Sequence, residues 1–552
     1  MHLIAGEDTM ETTKAEKEFK TASGIPIKPV YTPDDVDDID YDRDLGPPGN
    51  PPFTRGPYPN MYRDRLWRIR QLSGFGSVED QHERTKLAMK AGGEGVTLLT
   101  DFSTYCMLDM DDPKVLARLP DVGQNGAPIN SLRDWETLFD GIPVDKSYTA
   151  VLGTPQMSPW NVACWLAIAD EQGASYNKLA GTGQNCFNTA YVAAPHADEV
   201  KPSSALRLVG DIIEYSVAHL PHFSPVCYSG YNIRECGITA WEEVATCFAN
   251  AIAIIDEVLN RGRLSIDDFV KGISTIHLSA DRDFFEEIAK LRAARRMWCR
   301  LLQEKYGAKA ERLNLRMHVH TAGSALAYQE PLNNIARVSY QVLALALGGA
   351  QSQNASSYDE AWCAPSEEAA LISIRTGQIH QFESGVTSVA DPLGGSYFVE
   401  WLTNEVEKRA WDFLKRIDAQ GGYIAALESG WLHREFLKSM VDSERKFQTG
   451  EKKMVGVNFL RKDDGKEDTT SFASFKGNPK AGEIALASLY KLRKERDNAR
   501  VKAALEELRD VCRSKENVIP ALKKAAEAYC TIGEVGKVFR EVFPVWNSPY
   551  LL

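Results

Sequence analysis

Nothing in this sequence points to a disulfide framework or a zinc knuckle. Its ten cysteines, at positions 106, 164, 186, 227, 236, 247, 299, 363, 512 and 530, are scattered without a Cys-x-x-Cys pair, so a reducing cytoplasmic setting is expected. No run of about 18 apolar residues occurs, and the first twenty residues lack an apolar segment of signal length, so neither membrane insertion nor secretion is expected. Excess basic charge is missing too. Asp and Glu number 76 against 64 Lys and Arg, and a net charge of −12 argues against a nucleic-acid partner. There is no P-loop, no Gly-x-Gly-x-x-Gly after a strand, no His-Glu-x-x-His and no Gly-x-Ser-x-Gly, which removes the common phosphate, dinucleotide, zinc and hydrolase signals.

What remains is an ordinary globular composition, 43% hydrophobic and 25% charged, on a chain too long for one ordinary core. Its length allows a large barrel with a second region, or three to four average domains. Residues 1–52 are acidic and rich in Pro and Gly, with Asp34-Asp35-Val36-Asp37-Asp38 and Gly46-Pro47-Pro48-Gly49, which predicts an arm and not a packed unit. From about residue 60, short β-branched or apolar runs alternate with long amphipathic segments, the pattern of βα units on a parallel sheet. Strands are expected at Val96–Phe102, Tyr148–Gly153, Pro225–Ser229, Gly272–Leu278, Leu315–His320 and Ala350–Gln353. Helices are expected near 281–306, 330–347, 366–383 and 397–418, and Ser77 and Thr239 carry capping-box starts. This succession favours an α/β fold with a (β/α)8 TIM-type barrel over residues 53–420. Residues 421–552 read as mainly helical, with runs at Glu483–Arg509 and Val518–Glu541 and a short strand at Met454–Asn458.

Three local patterns bear on chemistry. His318-Val319-His320 ends an expected strand, so both imidazoles point the same way at the barrel end where catalytic groups gather. With no third ligand nearby in sequence, a polar pocket role is favoured over a metal site. Asp359-Glu360 follows a Ser/Asn-rich loop, a position that suits hydroxyl recognition, yet helix starts attract acids for dipole reasons alone, and by spacing this second reading is preferred. Arg63, Arg65, Arg68 and Arg70 crowd an aromatic segment, and arginine forks suit phosphate oxygens as well as they suit a solvated stripe.

At that segment the sequence resembles the coenzyme-B12-dependent acyl-CoA mutases. The likeness runs through Pro52-Phe53-Thr54-Arg55-Gly56-Pro57-Tyr58, Ser73-Gly74-Phe75-Gly76, Leu179-Ala180-Gly181-Thr182 with Gln184-Asn185, Ser229-Gly230-Tyr231, Ala289–Arg295, Gly348-Gly349-Ala350-Gln351-Ser352, Tyr358-Asp359-Glu360-Ala361 and Asp391–Tyr397, in order over about residues 50–460. The resemblance implies a TIM barrel threaded along its axis by the pantetheine arm of CoA, with the corrin of adenosylcobalamin over the carboxyl end. It would place Tyr58, Arg65, Arg68, Arg70 and Thr97 along the CoA path, and Gln184 and Tyr231 at the acyl group. Glu360, with Ser352 and Ser356, would hold the adenosyl moiety. The family's Asp-x-His-x-x-Gly cobalt-ligating motif is absent, since His320-Thr321-Ala322-Gly323 is preceded by His318 where Asp is required. A separate small cobalamin-binding subunit is therefore expected, in a heterotetramer of two large and two small subunits, most like the layout of 2-hydroxyisobutyryl-CoA mutase.

Departures from the family pattern shape the substrate expectation. Leu72 stands where methylmalonyl-CoA mutase has tyrosine, and its malonyl-pairing arginine aligns near Ala194. A buried carboxylate without a cation is disfavoured, which argues against methylmalonyl-CoA. Leu99 stands where the 2-hydroxyisobutyryl-CoA enzyme has an acid, so a branched or apolar acyl group is expected. Asn232 replaces the family histidine after Gly-Tyr, and His320 replaces a glutamine. Either His318 or His320 supplies what Asn232 cannot, or the chain is a noncatalytic CoA-binding or assembly subunit beside an active paralogue. No metal ion is expected beyond the cobalt of the cofactor.

Overall fold

The computed structural model describes residues 19–70, 74–461 and 477–549. Leu72, one of the expected pocket residues, lies outside them. Parallel strands run in sequence order around an axis: β1 (Arg68–Ile69), β2 (Val96–Thr97), β3 (Tyr148–Val151), β4 (Ala180–Gly183), β5 (His222–Ser224), β6 (Tyr228–Ser229), β7 (Thr275–Ala280), β8 (Arg316–Thr321) and β9 (Ser352–Asn354). One sheet has the order β2-β3-β4-β5 and the other β6-β7-β8-β9-β1, parallel throughout. Their edges meet twice. β5 and β6 are two pieces of one pass, tied to β4 by Cys227 N–H donating to Gln184 O at 3.1 Å, and the segment entering β2 donates Glu94 N–H to Ile69 O at 2.9 Å. This cyclic parallel order, with helices in the crossovers, is the TIM-type barrel.

The expected strands at Tyr148, Pro225, Gly272, Leu315 and Ala350 each overlap an observed one, the last three ending one or two residues early, whereas Val96–Phe102 shrinks to two residues before a helical turn at Phe102–Tyr105. β1, β4 and β5 give no strand signal in sequence, being two to four residues long, and β4 reads Ala-Gly-Thr-Gly. Both capping boxes form: Ser77 Oγ accepts from Asp80 N–H while Ser77 N–H donates back to the Asp80 carboxylate, and Thr239 pairs with Glu242 in the same way.

Two expectations need correction. The arm is anchored to the barrel in part: Ala22 N–H donates to Asp283 at 2.7 Å, Ser23 Oγ donates to Glu286 at 2.8 Å, and Ile25 is buried, while Phe19, Val30 and Tyr41 stay exposed. Residues 454–458 form a turn closed by a lone Val455–Phe459 bridge, because Asn458 Oδ1 accepts from Met454 N–H and curls the chain. The carboxyl-terminal helices share the barrel's core, with Val518, Ile519 and Leu522 buried in one cluster with Trp160, Trp165 and Ile168, and the strand Val545–Trp546 pairs antiparallel with Glu199–Val200.

Candidate active site

Two cavities occupy the two ends of the barrel. The amino-end cavity, of about 600 Å³, is lined by Tyr58, Arg65, Arg68, Arg70, Arg312 and Arg316, with Lys271 and the starts of β3, β7 and β8. The Arg68 and Arg70 guanidiniums stack on the Tyr148 ring at 4.4 and 4.2 Å, and Arg68 Nε sits 2.9 Å from Glu94. Burial, with Arg65 alongside, pushes the Arg68 pKa down, the cost of gathering cations without enough anions. Arg312, Arg316 and Lys271 carried no sequence signal, because each is a lone cation at a helix or strand terminus. Thr97 stands opposite Ala150 in the sheet and lines neither cavity.

Strand register builds the middle of the barrel. Ser229, His277, His318, Ser352 and Arg68 are neighbours across β6, β7, β8, β9 and β1, and two residues further on Ser279, His320 and Asn354 form the next layer. The Tyr231 ring stacks on His320 at 4.2 Å and on His277 at 5.1 Å, both nearly parallel, and His277 meets His318 at 4.8 Å. His318 Nδ1 bonds Ser352 Oγ at 2.9 Å, and Asn354 Nδ2 donates to His320 Nε2. Burial keeps all three imidazoles neutral: His277 is pushed down to about 3, and His318 and His320 fall well below the ordinary value. The His-x-His pair is thus a polar lining with its own partners. His277, their third member, was not singled out from sequence because one histidine in a short strand gives no pattern.

A hydrogen-bond chain leads from this column to the other expected acyl-facing residues. Gln184 Nε2 donates to Thr189 Oγ at 3.3 Å, Thr189 Oγ donates to Asn232 Oδ1 at 3.2 Å, and Ser229 Oγ lies 3.3 Å from both Asn232 Oδ1 and His277 Nδ1. Ala194 falls elsewhere: it caps the turn Asn188–Ala193, is exposed and lines neither cavity, because that turn leads the chain outward.

The carboxyl-end cavity, about 1260 Å³, is lined near the barrel by Gly74, Phe75, Leu99, His320, Asn354 and Glu360. Leu99 packs so closely that a methyl on Gly74 would meet its Cβ at 2.4 Å. Glu360, Glu235 and Tyr231 converge over Gly323, where an added Cβ would stand 2.8 Å from Glu360 Oε1 and 3.3 Å from Glu235 Oε2. Burial raises the Glu360 carboxyl to about 7 against a hydrogen bond from Ser356, and raises Glu235 to about 8 against one from Ser324 N–H. Ser356 is anchored in turn, its N–H donating to Thr321 Oγ at 2.7 Å. Asp359 instead accepts from Ser366 N–H at the start of helix Glu367–Phe382, so of the Asp359-Glu360 pair only Glu360 reaches the site. The expectation that helix-start electrostatics explain this pair therefore holds for one member and fails for the other.

A basic cavity, a neutral polar axis and a large mouth with two carboxyls of raised pKa suit a phosphate-bearing ligand at the amino end and a second group at the carboxyl end. Comparison with known sequences agrees: the profile of the methylmalonyl-CoA mutase family matches residues 20–545. The chain belongs to that family. It is 36% identical to the 2-hydroxyisobutanoyl-CoA mutase large subunit of Aquincola tertiaricarbonis, over 97% of this chain and 93% of that one. It is 36% identical to methylmalonyl-CoA mutase of Rhizobium meliloti, over 96% of this chain and 74% of that one, and 34% identical to the mitochondrial methylmalonyl-CoA mutase of Homo sapiens, over 95% and 68%. These mutases are isomerases, intramolecular transferases acting on acyl-CoA, and the family depends on adenosylcobalamin. Among the described residues, no helix is long and apolar enough to cross a membrane, and no group of three or more His, Cys, Asp and Glu side chains could hold a metal ion.

The carboxyl-end site fits the adenosyl portion of that cofactor. Ser357 Oγ and His320 Nδ1 are buried without partners, and Glu360 presents a carboxyl poised to bond hydroxyls. His320 is buried near the end of β8 and lines the carboxyl-end cavity.

Proposed function

We propose that this chain is the substrate-binding large subunit of an adenosylcobalamin-dependent mutase acting on a branched or apolar acyl-CoA, and not on methylmalonyl-CoA. The observation that carries the reading is the polarity of the barrel: arginines at the amino end, neutral imidazoles along the axis, and an apolar wall of Leu99, Phe75 and Gly74 where the acyl group emerges. A second carboxylate on the acyl group would meet apolar Leu99 and Gly74; the cations lining this cavity are Arg84 and Lys90. Arg84, the nearest guanidinium in the lining, is engaged with Pro365 O and stacked over Phe75.

Adenosylcobalamin, when bound, would supply radical hydrogen-transfer chemistry at the carboxyl-end site. This chain's residues do the rest of the work. Arg65, Arg68, Arg70 and Arg316 hold the CoA phosphates, and the pantetheine arm lies along the axis past His318 and Ser352. Tyr231 and Gln184 flank the acyl group, and Glu360 with Ser356 binds a ribose hydroxyl. The close walls exclude water from the reacting carbons. Cobalamin is held mainly by a separate small subunit. Support comes from the name of the Aquincola relative, a large subunit, 93% of whose length the match covers. We place two large and two small subunits in the assembly, and take residues 53–420 as the barrel, 1–52 as its arm and 421–552 as its helical complement.

The test is reconstitution with a small cobalamin-binding subunit and adenosylcobalamin, followed by chromatographic screening of apolar, hydroxylated and dicarboxylic acyl-CoAs for isomers. Isomerisation of an apolar branched acyl-CoA is expected. Preference for methylmalonyl-CoA would overturn the substrate assignment, and no isomer from any substrate would leave a noncatalytic CoA-binding subunit.

A further inference from the structure

The carboxyl-end cavity does not stop at the barrel mouth. From Leu99, His320 and Asn354 it continues to Leu87, Ala91, Leu371 and Ile374, so a slot opens in the barrel wall between helices Val78–Lys90 and Glu367–Phe382. On each side the lining residues follow one stripe. Arg84, Leu87, Ala88 and Ala91 stand at i, i+3, i+4 and i+7, and Glu367, Ala370, Leu371 and Ile374 repeat that spacing. Helix Val78–Lys90 buries Gln81, His82 and Thr85 against the barrel, so its leucine faces the slot and not the core. Two hydrogen bonds tie the walls across the slot: Arg84 Nη2 donates to Pro365 O at 2.9 Å and Gln378 Nε2 donates to Ala91 O at 3.4 Å. Between those ties Leu87 and Leu371 are 46% and 42% exposed. Apolar surface left open and rimmed by charge, here Lys90, Glu367 and Glu368, marks a ligand groove. The whole cavity, about 1260 Å³, exceeds the range of about 300–1,000 Å³ usual for one small-molecule site, so a group held by Glu360 fills only part of it.

Resting on the mutase reading above, we propose that the substrate's acyl group carries a long apolar chain, which leaves the reacting centre past Leu99 and lies in the slot between Leu87, Ala88, Leu371 and Ile374. The substrate class is then a medium- or long-chain acyl-CoA. Continuity of the cavity names the occupant: the slot opens inward on Leu99, the wall where the acyl group emerges, and CoA phosphates held at the amino end point the acyl group toward it. Polar groups gather at the inner end, at His320, Asn354 and Glu360, and the stretch beyond is apolar. A hydrocarbon tail asks for no hydrogen-bond partner there, whereas a hydroxylated one would be desolvated against Leu87 and Ile374 without gain. The short side chains of Ala88, Ala91 and Ala370 give the slot its depth. A two- or three-carbon acyl group would leave both leucines in water; a longer chain covers them.

The experiment is calorimetric titration of the full chain with acetyl-, butyryl-, hexanoyl- and octanoyl-CoA. Affinity is expected to rise about two- to fourfold per added methylene once the chain passes Leu99, the worth of moving each CH2 group out of water. Leu371→Asn, at an exposed position, should weaken octanoyl-CoA binding about five- to tenfold and change acetyl-CoA binding less than about twofold. Ala88→Phe, which fills the slot from the opposite helix, should flatten the series beyond butyryl-CoA while acetyl-CoA binds as before. A flat series in the unmodified protein would overturn the proposal, as would a rising series that both variants leave unchanged, and in either case acetyl-CoA binding keeps the mutase reading standing. Octanoate binding as tightly as octanoyl-CoA would overturn it too, since the slot would then be a site for free fatty acids. Failure of the unmodified protein to bind any of the CoA esters would overturn the mutase reading and this inference with it.

Discussion

Glu235 and Glu360 crowd one glycine at the mouth of the barrel, and burial makes each reluctant to ionise. A carboxyl whose folded pKa is raised holds its proton where the unfolded chain has already lost it. Stability therefore falls as pH rises from the ordinary value near 4.5 to the folded value of about 8 for Glu235. Glu235→Gln has no proton to keep, and its amide oxygen can still accept from Ser324 N–H. Denaturant unfolding should show the variant equal to the parent at pH 5 and more stable by about 1–3 kcal/mol at pH 8.5. Equal stability at both values would mean that Glu235 ionises freely in the folded protein. At this scale the sequence was legible where residues formed a pattern, as in His318-x-His320 and the arginines after Tyr58. It was silent for His277 and Arg316, which are assembled only by strand register.

Helix Phe284–Tyr306 shows what the family's Ala289–Arg295 segment is for. Arg292, Arg295 and Arg296 are all fully buried on it. Arg295 alone donates to Phe53 O and Thr54 O at 2.9 Å and to Gly348 O at 2.7 Å, clamping the segment at the foot of the arm and the turn before β9 to the barrel wall. Arg292 and Arg296 pair with Glu400 and Glu407 on helix Tyr397–Asp418 at 2.5 Å. Arg295→Met keeps most of the volume but takes the Arg295 donor from Thr54 O and Gly348 O, Phe53 O keeping Gly56 N–H, and urea titration should show a loss of about 2–4 kcal/mol. A loss under about 1 kcal/mol would show that the arm is held by other contacts. Helices such as this were readable because caps and 3.6-residue periodicity are local. The break of Glu483–Arg509 at Arg496 was not anticipated, although Asp497 there caps the second half by accepting from Ala499 N–H and Arg500 N–H. The acidic, Pro-rich arm looked unstructured because its partners, Asp283, Arg296 and Arg300, lie more than 200 residues away.

Across the whole molecule the charge is divided: the chain carries −12 overall, yet guanidiniums line the amino-end cavity. An acidic surface around a basic hole repels anions generally and admits the one whose phosphates reach the arginines, so binding should be strongly electrostatic. CoA affinity is expected to fall several-fold between 50 and 300 mM salt, measured by titration calorimetry, as screening shortens the reach of those charges. Arg316 is held by Ser224 Oγ at 2.9 Å at the start of β8. Arg316→Met should weaken CoA binding about five- to tenfold at low salt and flatten the salt dependence, while leaving thermal unfolding nearly unchanged because the side chain is only half-buried. An unaltered salt slope in this variant would place the phosphates away from the amino end. The ligand would then not run along the axis, and the stacked Tyr231 and His277 would be filler between two unrelated cavities.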